Sequence, residues 1–389
     1  MNYRRSTWGR AWARVGWIGC ALALAGCGTP RGPELTRFEF ERPFMGTLFR
    51  VVFYCEDALT ARAAAEAVFE RVAALEKVMS DYDPESELMR LCQSPPGAPV
   101  RVSAELFDVL ERAQRLAATT DGAFDVTIGP LARLWRRARR TGELPSAAAL
   151  ARARESVGWP NVRLDARART VTLLAPRMQL DLGGIGKGYA ADTALAVLKQ
   201  RGISRALVAA GGDIAVGDAP PGKPGWRVSI ATASFESARA SSASPAGPGA
   251  SAPQLGALVL RNAGVSTSGD AEQFVEIGGR RYSHIVDPRT GVGLTERVQV
   301  TVVARSATDS DSVATAVSVL GLARGLAFVE KRRDLAAVIL RSADAGVEVH
   351  ESRRFRKIPR VEADSRSVSA SACEAMAGPA GAGVQGGNW

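Results

Sequence analysis

The sequence predicts an α+β fold. Two segments, residues 58–79 and 103–118, carry apolar residues at helical spacing and predict amphipathic helices. Two others, residues 162–174 and 273–285, predict β-hairpins, the second around Gly278-Gly279. Because strands and helices follow one another without a strict βαβ repeat, an α+β architecture is favoured over a doubly wound sheet.

The remaining elements continue this pattern, and we predict one globular domain over residues 37–358. Ser103 is the expected N-cap of its helix. A further helix is predicted at residues 312–320, and further strands at residues 49–54, 206–210, 298–304, 336–340 and 347–350. A segment rich in Ala, Ser, Pro and Gly, at about 233–254, predicts a flexible insertion between two strands, and residues 359–389 predict a disordered tail.

The first 27 residues predict an export signal. Four arginines without an acid precede an apolar run at residues 15–24, which is too short to span a bilayer. The run closes with Leu24-Ala25-Gly26-Cys27, which resembles a bacterial lipobox, where the cysteine is lipidated and becomes the mature N-terminus. A plain signal peptide cut nearby and an uncleaved anchor are the alternatives. Residues 28–36 would then form a linker.

The charge and the cysteines exclude several classes of function. The net charge of +10 includes the arginines of the leader, so the mature domain is less basic. A second basic cluster at residues 136–140 has no interleaved aromatic residues and no nucleic-acid motif beside it, and we interpret it as a solvated helix end. The absence of C-x-x-C and the presence of two histidines argue against zinc or haem. In an oxidising compartment Cys55 and Cys92 are a candidate disulfide pair.

Residues 181–189, Asp-Leu-Gly-Gly-Ile-Gly-Lys-Gly-Tyr, predict a phosphate site. They follow a strand-like apolar run at residues 178–180 and open a helix-like run at residues 189–198. Glycines let backbone N–H groups approach an anion, the helix N-terminus favours it, and Lys187 adds a positive charge. The register of a Rossmann G-x-G-x-x-G is absent, and no Ser or Thr follows Lys187 as in a Walker loop.

Asp311 and Thr315 predict a magnesium site. They are four residues apart at the start of a predicted helix, so both side chains fall on one face. A carboxylate and a hydroxyl are the hard oxygen ligands that suit Mg²⁺. Each stretch alone has a simpler explanation, because a glycine-rich turn is more often only a turn and Asp-x-x-x-Thr more often a helix cap. Together they predict metal-assisted chemistry on a pyrophosphate.

Further motifs stand in the predicted loops. They are Phe-Met-Gly-Thr at 44–47, Tyr-Asp-Pro-Glu-Ser-Glu-Leu at 82–88, Gly-Ala-Phe-Asp-Val-Thr-Ile-Gly-Pro-Leu at 122–131, Ser-Thr-Ser-Gly-Asp at 266–270 and His-Ile-Val-Asp-Pro-Arg-Thr-Gly at 284–291. With the two stretches above, their order and spacing resemble the ApbE-type FAD:protein FMN transferase family over roughly residues 37–358. The resemblance implies a single catalytic domain of mixed, largely antiparallel sheets with packed helices.

The resemblance also implies the roles of individual residues. Mg²⁺ would be held by the side chains of Asp311 and Thr315 and by the backbone carbonyl of Gly184, a position at which family members often have alanine. The positions matching FAD contacts are Met45, Tyr82, Ala123, Phe124, Asp125, Asp181, Lys187 and Ile285. An aromatic ring can stack on a flat ring system, and a carboxylate can accept hydrogen bonds from ribose or ring N–H groups. Without the resemblance, ordinary packing would explain Tyr82, Phe124 and Ile285 equally well.

His284 is the candidate general base. It lies where a strand pattern ends, before Asp287-Pro288, and a neutral imidazole can take a proton near neutral pH. A lone histidine is more often structural, but the resemblance implies a base at this position.

The implied activity is Mg²⁺-dependent transfer of FMN from FAD to a Thr (or Ser) hydroxyl of an exported partner flavoprotein. The products are a phosphoester-linked flavin and AMP. The acceptor would belong to a membrane electron-transport system, and the enzyme would be lipid-anchored in the bacterial cell envelope, facing the periplasm, with no nucleic-acid partner. The alternatives are an FAD diphosphatase that yields FMN and AMP, and a non-catalytic flavin-binding lipoprotein.

Overall fold

The computed structural model describes residues 34–230, 255–269, 273–343, 346–362 and 368–369. The predicted signal peptide with its lipobox, most of the predicted linker, the insertion at 233–254, Asp270 and most of the predicted tail lie outside the described residues.

Seven α-helices are described: α1 (Ala58–Met79), α2 (Glu87–Cys92), α3 (Ala104–Thr119), α4 (Gly129–Thr141), α5 (Ala147–Arg154), α6 (Gly186–Gln200) and α7 (Ala307–Lys331). The described strands are β1 (Thr36–Phe44), β2 (Thr47–Cys55), β3 (Pro99–Arg101), β4 (Val162–Asp165), β5 (Thr170–Leu173), β6 (Ala206–Ala210), β7 (Asp213–Val216), β8 (Trp226–Ser229), β9 (Ala257–Leu260), β10 (Ala263–Gly269), β11 (Phe274–Ile277), β12 (Arg280–Ser283), β13 (Val298–Ala304), β14 (Ala336–Ala343), β15 (Gly346–Glu351), β16 (Arg360–Val361) and β17 (Val368–Ser369).

An eight-stranded sheet forms the centre of the domain, in the order β1-β2-β6-β7-β10-β13-β14-β15, and each neighbouring pair is antiparallel. Beside it lie a four-stranded sheet (β16-β9-β8-β17), a three-stranded sheet (β3-β5-β4) and the β11–β12 hairpin. Helices and largely antiparallel sheets confirm the predicted α+β class. Both predicted hairpins are confirmed as well.

The central sheet is buried on both faces. Along β2, the side chains of Phe49, Val51 and Phe53 belong to one apolar core, which includes residues of α1, α6 and α7. Val52 belongs to a second core, which is shared with β8 and β9 of the four-stranded sheet. Opposite directions of successive side chains in a strand produce this division. The sheet is therefore a middle layer with helices on one side and a small sheet on the other.

Helices α1 and α3 each begin directly after a residue whose side chain caps the helix N-terminus. The Asp57 carboxylate accepts the backbone N–H groups of Leu59 and Thr60 at the start of α1. Ser103 accepts the N–H of Leu106, which confirms it as the N-cap of α3. Each cap satisfies N–H groups that have no partner within the helix.

Several boundaries differ from the predictions. Met178 and Leu180 are buried, but residues 178–180 do not form a strand; the N–H of Asp181 donates instead to the carbonyl of Val126. The helix predicted at 312–320 is the centre of the longer α7, and β1 lies ahead of the first predicted strand. Two short strands, β16 and β17, fall within the tail predicted for 359–389.

Cys55 and Cys92 are both free, which corrects the candidate disulfide. The Cys92 sulfur accepts the N–H of Leu180, and the Cys55 thiol donates to the carbonyl of Asp57. Each is thus held in a separate local contact.

Helix α7 is long and apolar enough to cross a membrane by length and composition. Its first half is buried, where it packs on β10, β13 and α6, and Gly321 interrupts it with a φ of 74°. We therefore assign α7 to the protein core.

Helices α6 and α7 meet at Gly188 with no room for a side chain. A Cβ added there would lie 2.2 Å from the carbonyl oxygen of Ala307 and 2.8 Å from the Cβ of Asp311. The Asp192 carboxylate of α6 also accepts the N–H groups of Ala307 and Thr308 at 2.8 Å, and so caps α7. This packing fixes the start of α7 against the glycine-rich turn.

Gly188→Ala should lower the free energy of unfolding by about 1–3 kcal/mol, since the methyl group must push α6 and α7 apart. Gly186→Ala is the matched control in the same helix, because its Cβ would meet nothing closer than 3.8 Å. The control should be neutral or slightly stabilising through the helix propensity of alanine. Urea unfolding followed by circular dichroism measures both, and equal midpoints would refute the packing argument.

Candidate active site

The predicted metal ligands lie together at the start of α6. A Cβ at Gly184 would lie 3.1 Å from Thr315 Oγ1 and 3.3 Å from a ring carbon of Phe124, so the glycine-rich turn rests directly on α7. Asp311 Oδ2 accepts the N–H of Gly188 at 3.0 Å. The structure therefore brings Gly184 to Asp311 and Thr315, although Gly184 is distant from both in the sequence.

The donors at this place suit a hard divalent cation. A carboxylate, a hydroxyl and a backbone carbonyl are oxygen ligands of the kind Mg²⁺ takes. Within the described parts of the chain, no group of three or more His, Cys, Asp or Glu side chains could hold a metal. A bound cation would thus depend on neutral oxygens in addition to Asp311.

Asp311 is 2% exposed, and this burial is the main cause that raises its pKa to about 7. The nearby Asp213 carboxylate raises it further, whereas Lys187 opposes the shift. A buried carboxylate that resists ionisation is one that a nearby cation would stabilise. The residues present therefore fit the predicted metal.

Lys187 forms an ion pair with Asp213, which is 3% exposed and begins β7. Burial opposes the charged ammonium, but the carboxylates of Asp213 and Asp311 outweigh it and hold the pKa of Lys187 above its usual value. The sequence motifs indicated Lys187 as a site residue but not Asp213 as its partner. The signal available was Ala-Gly-Gly-Asp at residues 210–213, which directly follows the buried strand β6.

Asp181 and Tyr82 meet at Arg136 of α4. Arg136 Nη2 donates to Asp181 Oδ2 at 2.7 Å, and Nη1 donates to Asp81. Its guanidinium lies 4.5 Å from the centroid of the Tyr82 ring. The interpretation of residues 136–140 as a solvated helix end is wrong for Arg136, because that side chain turns inward to two carboxylates.

Ala123, Phe124 and Ile285 line the same region through apolar contacts. Ala123 and Ile285 share a small buried cluster with Val319 of α7, while Phe124 belongs to the main core and approaches Gly184. These contacts fit both ordinary packing and the edge of a ligand site. Their role towards FAD stays a prediction.

Asp125 is already engaged by the protein. Its Oδ1 accepts the N–H and the hydroxyl of Thr127, and its Oδ2 accepts the N–H of Trp159 at 2.8 Å. Burial raises its pKa in spite of these bonds. In this structure the Asp125 side chain fixes the loop that presents Ala123 and Phe124, and a contact with FAD stays a prediction.

Met45 lies in the two-residue turn of the β1–β2 hairpin. Met45 and Gly46 have φ values of 51° and 71°, and the Met45 N–H donates to Glu76 of α1 at 2.7 Å. Positive φ at both central residues is the conformation that tight hairpins favour. A Cβ at Gly211 would lie 2.6 Å from Thr47 Oγ1, so this turn adjoins the turn that leads to Asp213.

His284 directly follows β12. Its Nδ1 lies 3.0 Å from the carbonyl oxygen of Gln273, so Nδ1 carries the proton and Nε2 is left as an acceptor. Crowding by protein atoms, aided by the charges of Arg139 and Lys187, lowers its pKa to about 4. His284 also contacts solvent, which makes the loss of hydration smaller. At pH 7 the ring is neutral, because both the lowered pKa and the ordinary pKa of a histidine lie below 7.

This geometry agrees with comparisons to known proteins. The sequence model of the ApbE family matches residues 45–339, more than half of the chain. The chain belongs to the ApbE family.

Its ApbE relatives match along most of their length. An FAD:protein FMN transferase of Klebsiella pneumoniae (strain 342) is 31% identical over 353 residues, covering 88% of this chain and 96% of the relative. One of Salmonella typhimurium is 32% identical over 351 residues, covering 87% and 95%. The solved flavin transferase ApbE from Vibrio cholerae superposes with a TM-score of 0.73 at 27% identity, covering 84% of this chain and 100% of that chain. The resemblance predicted from the motifs is confirmed.

In metal-free buffer, Asp311→Asn should change how stability depends on pH between about 4 and 7. The wild-type carboxyl has a pKa of 3.8 when unfolded and about 7 when folded, so folding loses stability as pH rises through this window. Asparagine removes that loss. Relative to the wild type, the free energy of unfolding of the variant should therefore increase by about 2 kcal/mol or more between pH 4 and pH 7.5. Urea unfolding in the presence of EDTA measures this difference. Asp309→Asn is the control, because the Asp309 side chain on the same helix is 46% exposed. A stability difference between Asp311→Asn and the wild type that stays the same at every pH would contradict the raised pKa of Asp311.

Proposed function

We propose that this chain transfers FMN from FAD to a Thr (or Ser) hydroxyl of a partner flavoprotein and releases AMP. The observation that carries the proposal is the meeting of Gly184, Asp311 and Thr315 at the start of α6, beside the Lys187–Asp213 pair. The names of the ApbE relatives, FAD:protein FMN transferase, support the same reaction.

The pyrophosphate of FAD would bind at the start of α6. The dipole at the N-terminus of α6 attracts phosphate oxygens, and Lys187, held in place by its ion pair with Asp213, supplies a positive charge. Tyr82, a residue that is 76% exposed, is available to stack on a flat ring of the substrate. Asp311, Thr315 and the Gly184 carbonyl would hold Mg²⁺, which when bound would neutralise the negative charge of the pyrophosphate.

His284 would act as the general base. With Nδ1 bonded to the Gln273 carbonyl, Nε2 is free to accept the proton of the acceptor hydroxyl. The hydroxyl oxygen forms a bond to the phosphorus on the flavin side, and the bond from that phosphorus to the bridging oxygen breaks. AMP leaves with the bonding electrons, and the proton resides on His284.

We further propose that the enzyme is lipid-anchored in the bacterial cell envelope and faces the periplasm. The motif Leu24-Ala25-Gly26-Cys27 after a short apolar run supports this location. The acceptor would then be an exported flavoprotein of a membrane electron-transport system.

To test this function, the purified protein is incubated with FAD, Mg²⁺ and an acceptor flavoprotein that has a threonine at its flavinylation site. Mass spectrometry should find the acceptor heavier by one FMN moiety, with AMP released in equal amount, and neither product with Asp311→Ala. Free FMN and AMP with an unmodified acceptor would establish the diphosphatase instead. Intact FAD in every condition would leave a flavin carrier and refute the enzyme.

Mg²⁺ should raise the thermal unfolding temperature of the wild type, because a ligand that binds only the folded state stabilises it. At a concentration about 100 times Kd the gain is about 2.7 kcal/mol. Thr315→Val should lose most of this shift, since it removes one oxygen ligand. Ser318→Ala is the matched control, because it removes a hydroxyl that donates to the Ala314 carbonyl on the same helix. Equal Mg²⁺ shifts in all three proteins would contradict the site.

His284→Ala should slow acceptor flavinylation by about 10²–10⁴-fold, the usual contribution of a general base. FAD binding, measured by flavin fluorescence, should stay within about twofold of the wild type. His350→Ala is the control, because His350 pairs with Glu348 on β15, an edge strand of the sheet. Flavinylation at the wild-type rate in His284→Ala would remove this residue from the mechanism.

A further inference from the structure

Arg136 connects two residues predicted to contact FAD. Its guanidinium bonds to Asp181 and lies over the ring of Tyr82, and its remaining amino group bonds to Asp81. The Asp81 and Asp181 side chains are 16% and 11% exposed, and that of Arg136 is 26% exposed. One arginine thus satisfies three partners at once.

The position of Arg136 is fixed by its helix. At the start of α4, a Cβ on Gly129 would lie 2.5 Å from the carbonyl oxygen of Gln179, so α4 packs tightly against the segment that leads to Asp181. Arg137, the next residue, points away and is exposed. Arginine suits this place because its planar group can bond to two carboxylates and still stack on an aromatic ring.

We propose that Arg136 is a positioning residue that holds Tyr82 and Asp181 in the arrangement that binds FAD. This inference rests on the proposed function and names a residue that prepares the substrate site rather than one that reacts.

The charges explain why the arginine is needed. Burial and the neighbouring Asp81 both raise the pKa of Asp181, and Arg136 opposes them. Without the guanidinium, two carboxylates would face each other at the edge of the site. The Tyr82 ring would also lose the group that lies against it, leaving an exposed side chain free to change rotamer.

The test compares FAD affinity in Arg136→Met, Arg136→Lys and Arg137→Met, by flavin fluorescence in the presence of Mg²⁺. Methionine keeps the apolar stem and removes the charge. We expect the FAD Kd and KM to rise about tenfold in Arg136→Met while kcat changes less than about threefold. Lysine should give an intermediate Kd, since it keeps the charge but not the planar fork. Arg137→Met should match the wild type.

A double-mutant cycle tests the link to Tyr82. If Arg136 acts through this ring, the losses in FAD affinity from Arg136→Met and Tyr82→Leu should be less than additive. Additive losses, or an unchanged Kd in folded Arg136→Met, would overturn the proposal. A lower fraction of folded enzyme with an unchanged FAD KM would also overturn it, since that is the result of a purely structural role. The role of Arg136 can be tested apart from the proposed function, because the readout is the Kd for FAD. If the wild type binds FAD but modifies no acceptor, the proposed function is refuted, and the Kd values of the variants still show whether Arg136 positions the FAD site.

Discussion

The close contact between α6 and α7 is the constraint on which the site depends. It exists because Gly188 has no side chain where the Ala307 carbonyl passes, and it is fastened by Asp192, which caps α7. The same contact places Asp311 on the N–H of Gly188 and Thr315 beside Gly184. Backbone packing thus brings the predicted metal ligands to one place, although α6 and α7 are more than a hundred residues apart in sequence.

Much of the fold could be predicted from local patterns in the sequence. Helix α1 has the predicted bounds of residues 58–79, and Ser103 caps α3, because periodicity and capping act within a few residues. Strand β13 also has its predicted bounds, since a run of buried apolar residues signals a central strand. The family motifs selected Gly184, Asp311 and Thr315, which the structure brings together. In each case the information lies in adjacent residues or in the order of the family motifs along the chain.

The predictions failed where a residue's role depends on a distant partner. Arg136 stands in a run of arginines, and nothing nearby in sequence shows that Asp81 and Asp181 will meet it. Asp213 likewise follows a simple glycine turn, and its pairing with Lys187 arises only when β7 joins the sheet. The run at residues 178–180 resembles a strand in its side chains, but the N–H groups of Leu180 and Asp181 bond to the Cys92 sulfur and the Val126 carbonyl instead of to a strand.

The charges at the site are consistent with the proposed binding of pyrophosphate together with a cation. The cationic side chains there include Lys187, Arg136, Arg139 and Arg133. The carboxylates among them include Asp81, Asp181, Asp213, Asp311 and Asp192. Since burial already raises the pKa of Asp311, adding a doubly charged pyrophosphate to this surplus of carboxylates would be unfavourable. A divalent cation on Asp311 would reverse the local balance. Substrate and metal are therefore expected to bind in a coupled manner, each raising the affinity of the other.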